Sequence, residues 1–329
     1  MSSSLKLGLA LETFVPQDVE LEFANIVRYA QRAEELGFSS LYGWDHLFLG
    51  TRTYFPLYEV MTTMAALATA TERVELGTGV LVLPLRDPTT LAKMITTIDH
   101  ASGGRFVLGT AAGWYEKEYE ALGVPHKKRG RIFERNLEIL LALLTEKMVT
   151  INAPGFGEDA PPLELRRVVT EPKTIASPRP PILLGGYVDR VFKRIAKYAD
   201  GWLGYLYTPE EFSKAWTRVC ELTEEEGRDP AELRNVTQLP ICVNDSFEEA
   251  DRRVREFGSR YLDLPEWSQA SLESGIRGSV DDCLEQIAAQ AAQGAQEVVL
   301  MPVDYEQEQV EIVAREILPK VDGITVATR

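Results

Sequence analysis

RFVLGTAAGWYEKEY, residues 105–119, decides how the whole chain is read. Phe106, Val107 and Leu108 make a short run that is apolar on both faces, the pattern of a strand buried within a parallel sheet. Gly109 to Gly113 then let the backbone approach something flat and bulky at the carboxyl end of that strand. Trp114, Tyr115, Glu116 and Glu118 follow at once, supplying an indole, a phenol and two carboxylates. A bound ring system is one interpretation. An ordinary strand-to-loop turn, with Trp114 plugging the core, accounts for this stretch alone equally well.

The same pattern recurs to either side. Further strands are expected at Leu5–Leu11, Ser39–Gly43, Val74–Val82, Pro181–Leu184, Gly201–Tyr205, Val236–Val243 and Glu297–Met301. Helical spacing separates them: Val19, Phe23, Ile26, Val27 and Ala30 share one face before Gly37, and Phe133, Leu137, Leu140, Leu141 and Leu144 share another. Further helices are expected over Tyr58–Ala70, Leu91–Ala101, Tyr187–Tyr198 and Gln307–Ile317. Thr208 to Glu211 is a capping box with Pro209 at the first helical position, and Ser279 caps a helix that Gly294 stops. Alternation of this kind favours a (β/α)8 TIM barrel over an open doubly wound sheet. No G-x-G-x-x-G opens a helix after the first strand, and no P-loop is present, so both common nucleotide signatures of the open sheet are missing. The expected organisation is a single domain over 1–329, with irregular insertions near 147–180 and 258–278.

Composition narrows the class. A net charge of −15 argues against wrapping nucleic acid or binding an anionic membrane, and no run approaches the roughly 20 apolar residues of a membrane span. Cys220, Cys242 and Cys283 are widely spaced and odd in number, which speaks against a disulfide framework or a cysteine-ligated metal. His46, His100 and His126 are equally scattered, so no metal site is expected. A reducing compartment and the lack of a signal-peptide pattern point to the cytoplasm.

In a barrel, function gathers at the carboxyl ends of the strands. That criterion selects Glu12-Thr13, Trp44-Asp45-His46, Thr78-Gly79-Val80, Thr110 with Trp114, and Gly185-Gly186-Tyr187. His46 is the best general base, because imidazole titrates near neutrality, and Asp45 is placed to orient it. Backbone N–H groups near Gly186 and Tyr187, at a helix start, suit a phosphate. A tight turn that needs glycine explains the same pair.

Three stretches, ERVELGTGVLVLPLRDPTTLAK, HASGGRFVLGTAAGWYEKEYEALGVPHKKRGRIFERN and PPILLGGYVDRVFKRIAKYADGWL, together resemble the bacterial luciferase-like flavin and deazaflavin oxidoreductases, and the likeness runs over nearly the whole chain. The resemblance implies a barrel with insertions that holds an isoalloxazine or deazaflavin at the strand ends. It implies that Gly79-Val80 forms a bulged turn, often with a non-prolyl cis peptide, behind the ring. Thr110 and its neighbours would touch the ring or its ribityl chain, Thr78 would belong to the same cofactor site, and Gly185, Gly186 and Tyr187 would hold the phosphate. His46 would face the reacting side, with Trp44 and Trp114 shaping the pocket. The glutamate found in deazaflavin-dependent sugar-phosphate dehydrogenases is replaced here by Ala112-Gly113, although Glu116 or Glu118 could substitute. The expected activity is a two-component monooxygenase that uses reduced FMN, through a peroxyflavin, on a small organic substrate. A separate flavin reductase and a homodimer are expected with it. Hydride transfer with deazaflavin (coenzyme F420) is the alternative, and a non-catalytic flavin-binding relative is a further one.

Overall fold

The described residues are 4–50, 54–156, 161–261 and 264–327 of a computed structural model. Strands β1 (Lys6–Ala10), β2 (Ser40–Gly43), β3 (Glu75–Thr78), β4 (Phe106–Ala111), β5 (Ile182–Gly185), β6 (Gly201–Tyr205), β7 (Arg234–Val243) and β8 (Glu297–Pro302) pair in sequence, all parallel. β8 returns to β1 through the register Lys6↔Glu297 to Leu9↔Leu300, so the sheet closes into the expected (β/α)8 barrel. Closure removes the free edges that an open sheet would have to protect.

Helices α1 (Phe23–Leu36), α2 (Val60–Ala70), α3 (Pro88–Ser102), α4 (Glu116–Ala121), α5 (Arg129–Thr145), α6 (Asp189–Tyr198), α7 (Pro209–Glu225), α8 (Phe247–Tyr261), α9 (Pro265–Ser274) and α10 (Val280–Ala292) follow the strands, and a helical run from Gln307 ends the chain. Their ends obey local chemistry. Asp87 accepts from Thr90 N at 2.8 Å to start α3, and Gly103 ends it at φ 67°. Both capping boxes form, Thr208 with Glu211 and Ser279 with Asp282.

Two apolar layers follow from strand alternation. Phe106 and Leu108 pack outward with the helices, while Val107 joins Ala10, Tyr42, Leu183, Leu203, Val236 and Val299 inside the barrel. At the amino ends of the strands, the interior turns polar: the Arg234 guanidinium holds Glu75 at 2.5 Å, the Glu297 carboxylate and the Tyr42 hydroxyl, and Ser40 donates to Glu297. This floor leaves the opposite end of the barrel for chemistry.

Three expectations are corrected. The third strand does not run unbroken over Val74–Val82; β3 stops at Thr78, the Gly79–Val80 peptide is cis, and Leu81-Val82 resumes pairing against Thr110-Ala111 of β4. The segment 258–278 is mostly ordered helix and strand, because α8 runs on to Tyr261, α9 follows and Ile276–Gly278 pairs with β7. α6 begins at Asp189, since Gly186 takes φ 148° and Tyr187-Val188 stay outside the helix. The insertion at 147–180 contains an antiparallel pair, Val149–Ala153 with Leu163–Val168. Among the described residues no helix is long and apolar enough to cross a membrane, and no cluster of side chains could hold a metal ion.

Gly77 lets the Tyr42 ring fill the barrel: a Cβ there would overlap one ring atom and lie 2.6 and 2.9 Å from two others. Gly77→Ala is therefore expected to lower stability in urea unfolding by about 1–3 kcal/mol. A loss under about 0.5 kcal/mol would show that the ring moves aside freely.

Candidate active site

The break in β3 is built from its neighbours. Thr78 Oγ1 donates to Gly109 O at 2.7 Å, and Thr110 Oγ1 donates to Leu81 O at 2.8 Å, so both hydroxyls tie β3 to β4 on either side of Gly79-Val80. Gln238 of β7 reaches across the barrel to donate to Gly79 O at 3.3 Å. A Cβ on Gly185 would meet Val80 Cγ1 at 2.9 Å, so glycine there is what leaves Val80 its room. Thr78, Gly79, Val80 and Thr110, with Gly185 from the expected phosphate stretch, are thus brought together on one rim.

The loop after β2 divides its polar groups. Thr13 Oγ1 both donates to Trp44 O and accepts from Trp44 N at 3.2 Å, fixing the start of the loop. Asp45, 3% exposed, accepts from Val82 N at 2.8 Å and pairs with Arg86 at 2.6 Å. Burial pushes its pKa up and the Arg86 guanidinium opposes that shift. Asp45 is therefore a tie between two loops rather than the group that orients His46, which corrects the sequence expectation. The imidazole instead meets Glu118, whose Oε2 lies 3.2 Å from His46 Nδ1 and whose Oε1 accepts from Leu47 N at 2.6 Å. Glu118 is 1% exposed, whereas Glu116 on the same helix faces His126 Nδ1 at 3.6 Å on the surface.

Aromatic rings close the mouth. Trp44 lies 4.9 Å from Phe14 and 5.5 Å from Tyr205, Tyr205 lies 6.1 Å from Trp267, and Trp267 lies 4.8 Å from Trp114. Trp114 in turn stands edge-on to His46 at 6.1 Å. Elements from β1, β2, β4 and β6 and helix α9 contribute to this chain of rings. Trp44 Nε1, Tyr205 OH and Gln238 Oε1 are buried without a partner among the described residues, as befits polar atoms that await a ligand.

At the end of β5, Gly186 adopts φ 148° and no protein acceptor among the described residues takes the N–H groups of Tyr187, Val188 or Asp189. These donors, with Arg190 exposed beside them, form a helix-start cradle that fits a phosphate. The Tyr187 ring stacks on Tyr207 at 5.2 Å and its hydroxyl donates to Tyr205 O at 2.9 Å. Two shallow grooves flank α5, lined by residues such as Tyr119 and Phe156 or Arg131 and Ile151; neither includes a strand-end residue of this site.

The profile of the luciferase-like monooxygenases matches residues 6–299. The chain belongs to that family. It is accordingly an oxidoreductase of the group whose members use flavin or deazaflavin. Among curated relatives, the 4-hydroxyprotoasukamycin monooxygenase of Streptomyces nodosus subsp. asukaensis is 25% identical, with 94% of this chain and 91% of that one covered. Two solved structures share the fold: an F420-dependent secondary alcohol dehydrogenase in complex with an F420–acetone adduct (TM-score 0.79, 17% identity, 97% and 99% covered), and the oxygenating constituent of 3,6-diketocamphane monooxygenase of Pseudomonas putida in complex with FMN (TM-score 0.78, 18% identity, 96% and 99% covered).

In this luciferase-like chain, sequence reasoning passed over Arg86, Gln238 and Tyr205. Gln238 carried a signal, an amide set between apolar residues in the middle of β7. Glu12 also gains definition: its carboxylate accepts from Tyr261 OH at 3.3 Å, and burial pushes its pKa up to about 7 against that hydrogen bond, with Asp304 adding to the rise. Between the ordinary value of 4.5 and about 7, the folded chain keeps a proton that the unfolded chain has lost. Stability therefore falls as pH rises through that window. Glu12→Gln is expected to flatten the slope of unfolding free energy between about pH 5 and pH 7; an unchanged slope would show that Glu12 does not titrate there.

Proposed function

We propose that this chain is a monooxygenase that uses reduced FMN on an uncharged organic substrate. The observation that carries the reading is the ring-lined mouth with a single imidazole–carboxylate pair, His46 with Glu118, at its edge. Rings from several loops exclude water from the strand ends, which protects reactive chemistry there. Among the described residues, Arg86 beside these loops is already committed to Asp45 and Glu59, so it is not offered to an anionic substrate.

The residues present fit the cofactor. Gly79-Val80 with Gly185 would back the ring system, and the N–H groups after Gly186 would hold the phosphate. Bound there, reduced FMN supplies the electrons that let molecular oxygen deliver one atom to the substrate and leave as water with the other. Trp44 Nε1 and Tyr205 OH supply donors for ligand oxygens, and His46 moves a proton at its imidazole. A separate flavin reductase as electron source and a homodimeric assembly complete the proposal.

One observation favours a second reading. An imidazole backed by a buried carboxylate also suits removal of a hydroxyl proton from an alcohol, which hydride transfer to deazaflavin requires. Titration with each reduced cofactor, followed by oxygen uptake over a panel of substrates, separates the two. Reduced FMN is expected to bind and drive substrate-dependent oxygen uptake; tight deazaflavin binding without uptake would overturn the proposal. His46→Ala is expected to spare cofactor binding and to lower turnover at least about tenfold, and unchanged turnover would remove His46 from the reaction. Gly186→Val, which brings bulk against Val191, should weaken FMN at least about tenfold more than riboflavin. Equal losses would refute the phosphate cradle.

A further inference from the structure

We infer that Glu118 is the positioning residue for His46, fixing its imidazole as the Nδ1–H tautomer so that Nε2 is the basic nitrogen. The inference rests on the reading that His46 handles a proton.

Glu118 is almost fully buried, and a carboxylate so placed must be met by donors. Both donors come from one distant loop: the Leu47 N–H at 2.6 Å and the His46 ring at 3.2 Å. An ionised carboxylate only accepts hydrogen bonds, so a neutral imidazole facing it must carry its proton on Nδ1. The other neighbours of the ring cannot choose between its nitrogens, since Trp114 and Tyr115 stand edge-on at 6.1 and 6.4 Å. Among the described residues, Asp45 pairs with Arg86 and accepts from Val82 N, and Arg86 also reaches Glu59.

The carboxylate is itself held in place. On either side of it in sequence, Tyr115 donates its hydroxyl to Gly50 O and Tyr119 donates to Ala112 O, and both phenols are buried. α4 is thereby pinned to the loop after β2 and to the exit of β4. Glu118 thus acts through His46 rather than on a reacting atom, in the way that a second carboxylate sets the tautomer of a catalytic or ligating imidazole.

The test reads the tautomer directly. The chain has three histidines, so the His46 ring signals in a long-range proton–nitrogen NMR spectrum can be assigned by their loss in His46→Ala. In the cofactor-free native chain, with the imidazole neutral, Nδ1 should be protonated and Nε2 not. Glu118→Gln, whose amide can donate as well as accept, should convert this to a mixture of tautomers. It should also lower kcat at least about tenfold with a smaller change in KM, and Glu118→Asp should recover part of both. A native His46 protonated on Nε2, or a Glu118→Gln chain with unchanged tautomer and kcat, would overturn the inference. If Glu118→Gln does not fold, the native and Glu118→Asp spectra decide it. Because the spectra need no turnover, a correct tautomer with turnover indifferent to His46→Ala would place the failure in the proposed function instead.

Discussion

Closing eight parallel strands into a barrel puts every carboxyl end on one rim, and the rest of this molecule depends on that constraint. His46 reaches the same rim as Gly185 and Tyr205, each more than a hundred positions away from it, only because their strands all point the same way. The same constraint gives the opposite end a different task. There Arg234, Glu75, Glu297, Ser40 and Tyr42 neutralise one another inside the barrel, and the interior above them is apolar. Polar groups buried at the floor are satisfied within the protein. Those near the mouth, Trp44 Nε1, Tyr205 OH and Gln238 Oε1, have no partner among the described residues.

Three carboxyls near the rim, Asp45 and Glu118 buried and Glu12 half-buried, show how environment assigns different work to one functional group. Asp45 has a guanidinium and a backbone N–H, so it joins the loops after β2 and β3. Glu118 has a backbone N–H and an imidazole, so it joins structure to chemistry. Glu12 has one phenol and no cation, so desolvation wins and its pKa rises. The residue type is shared; the partner decides between tie, positioning group and proton store.

Much of the fold was legible because alternation and caps are local. The apolar run of β4, the capping boxes at Thr208 and Ser279, and the stop at Gly103 all depend on residues within a few positions of one another. Where the expectation missed, the cause was distant. The interruption of β3 follows from contacts with β4, β5 and β7, and the helix α9 has only weak apolar spacing of its own, since Trp267 packs on Trp114 after β4 and Tyr205 of β6 across the mouth.

The candidate site divides in the same way. By itself the sequence determined the barrel, the strand ends that carry Trp44, Asp45, His46, Thr110, Trp114 and Gly185-Gly186, and a likeness to flavin and deazaflavin oxidoreductases, because strand order and glycine placement are written in the chain. Only the tertiary structure decided that Asp45 serves Arg86, that Glu118 rather than Asp45 meets His46, and that Gln238 lies beneath Gly79. Adjacent side chains in an extended segment point to opposite sides, so Asp45 and His46 could not easily share a partner. Which partner each one finds is set by loops 37 to 72 residues away, and no local rule of sequence reaches that far.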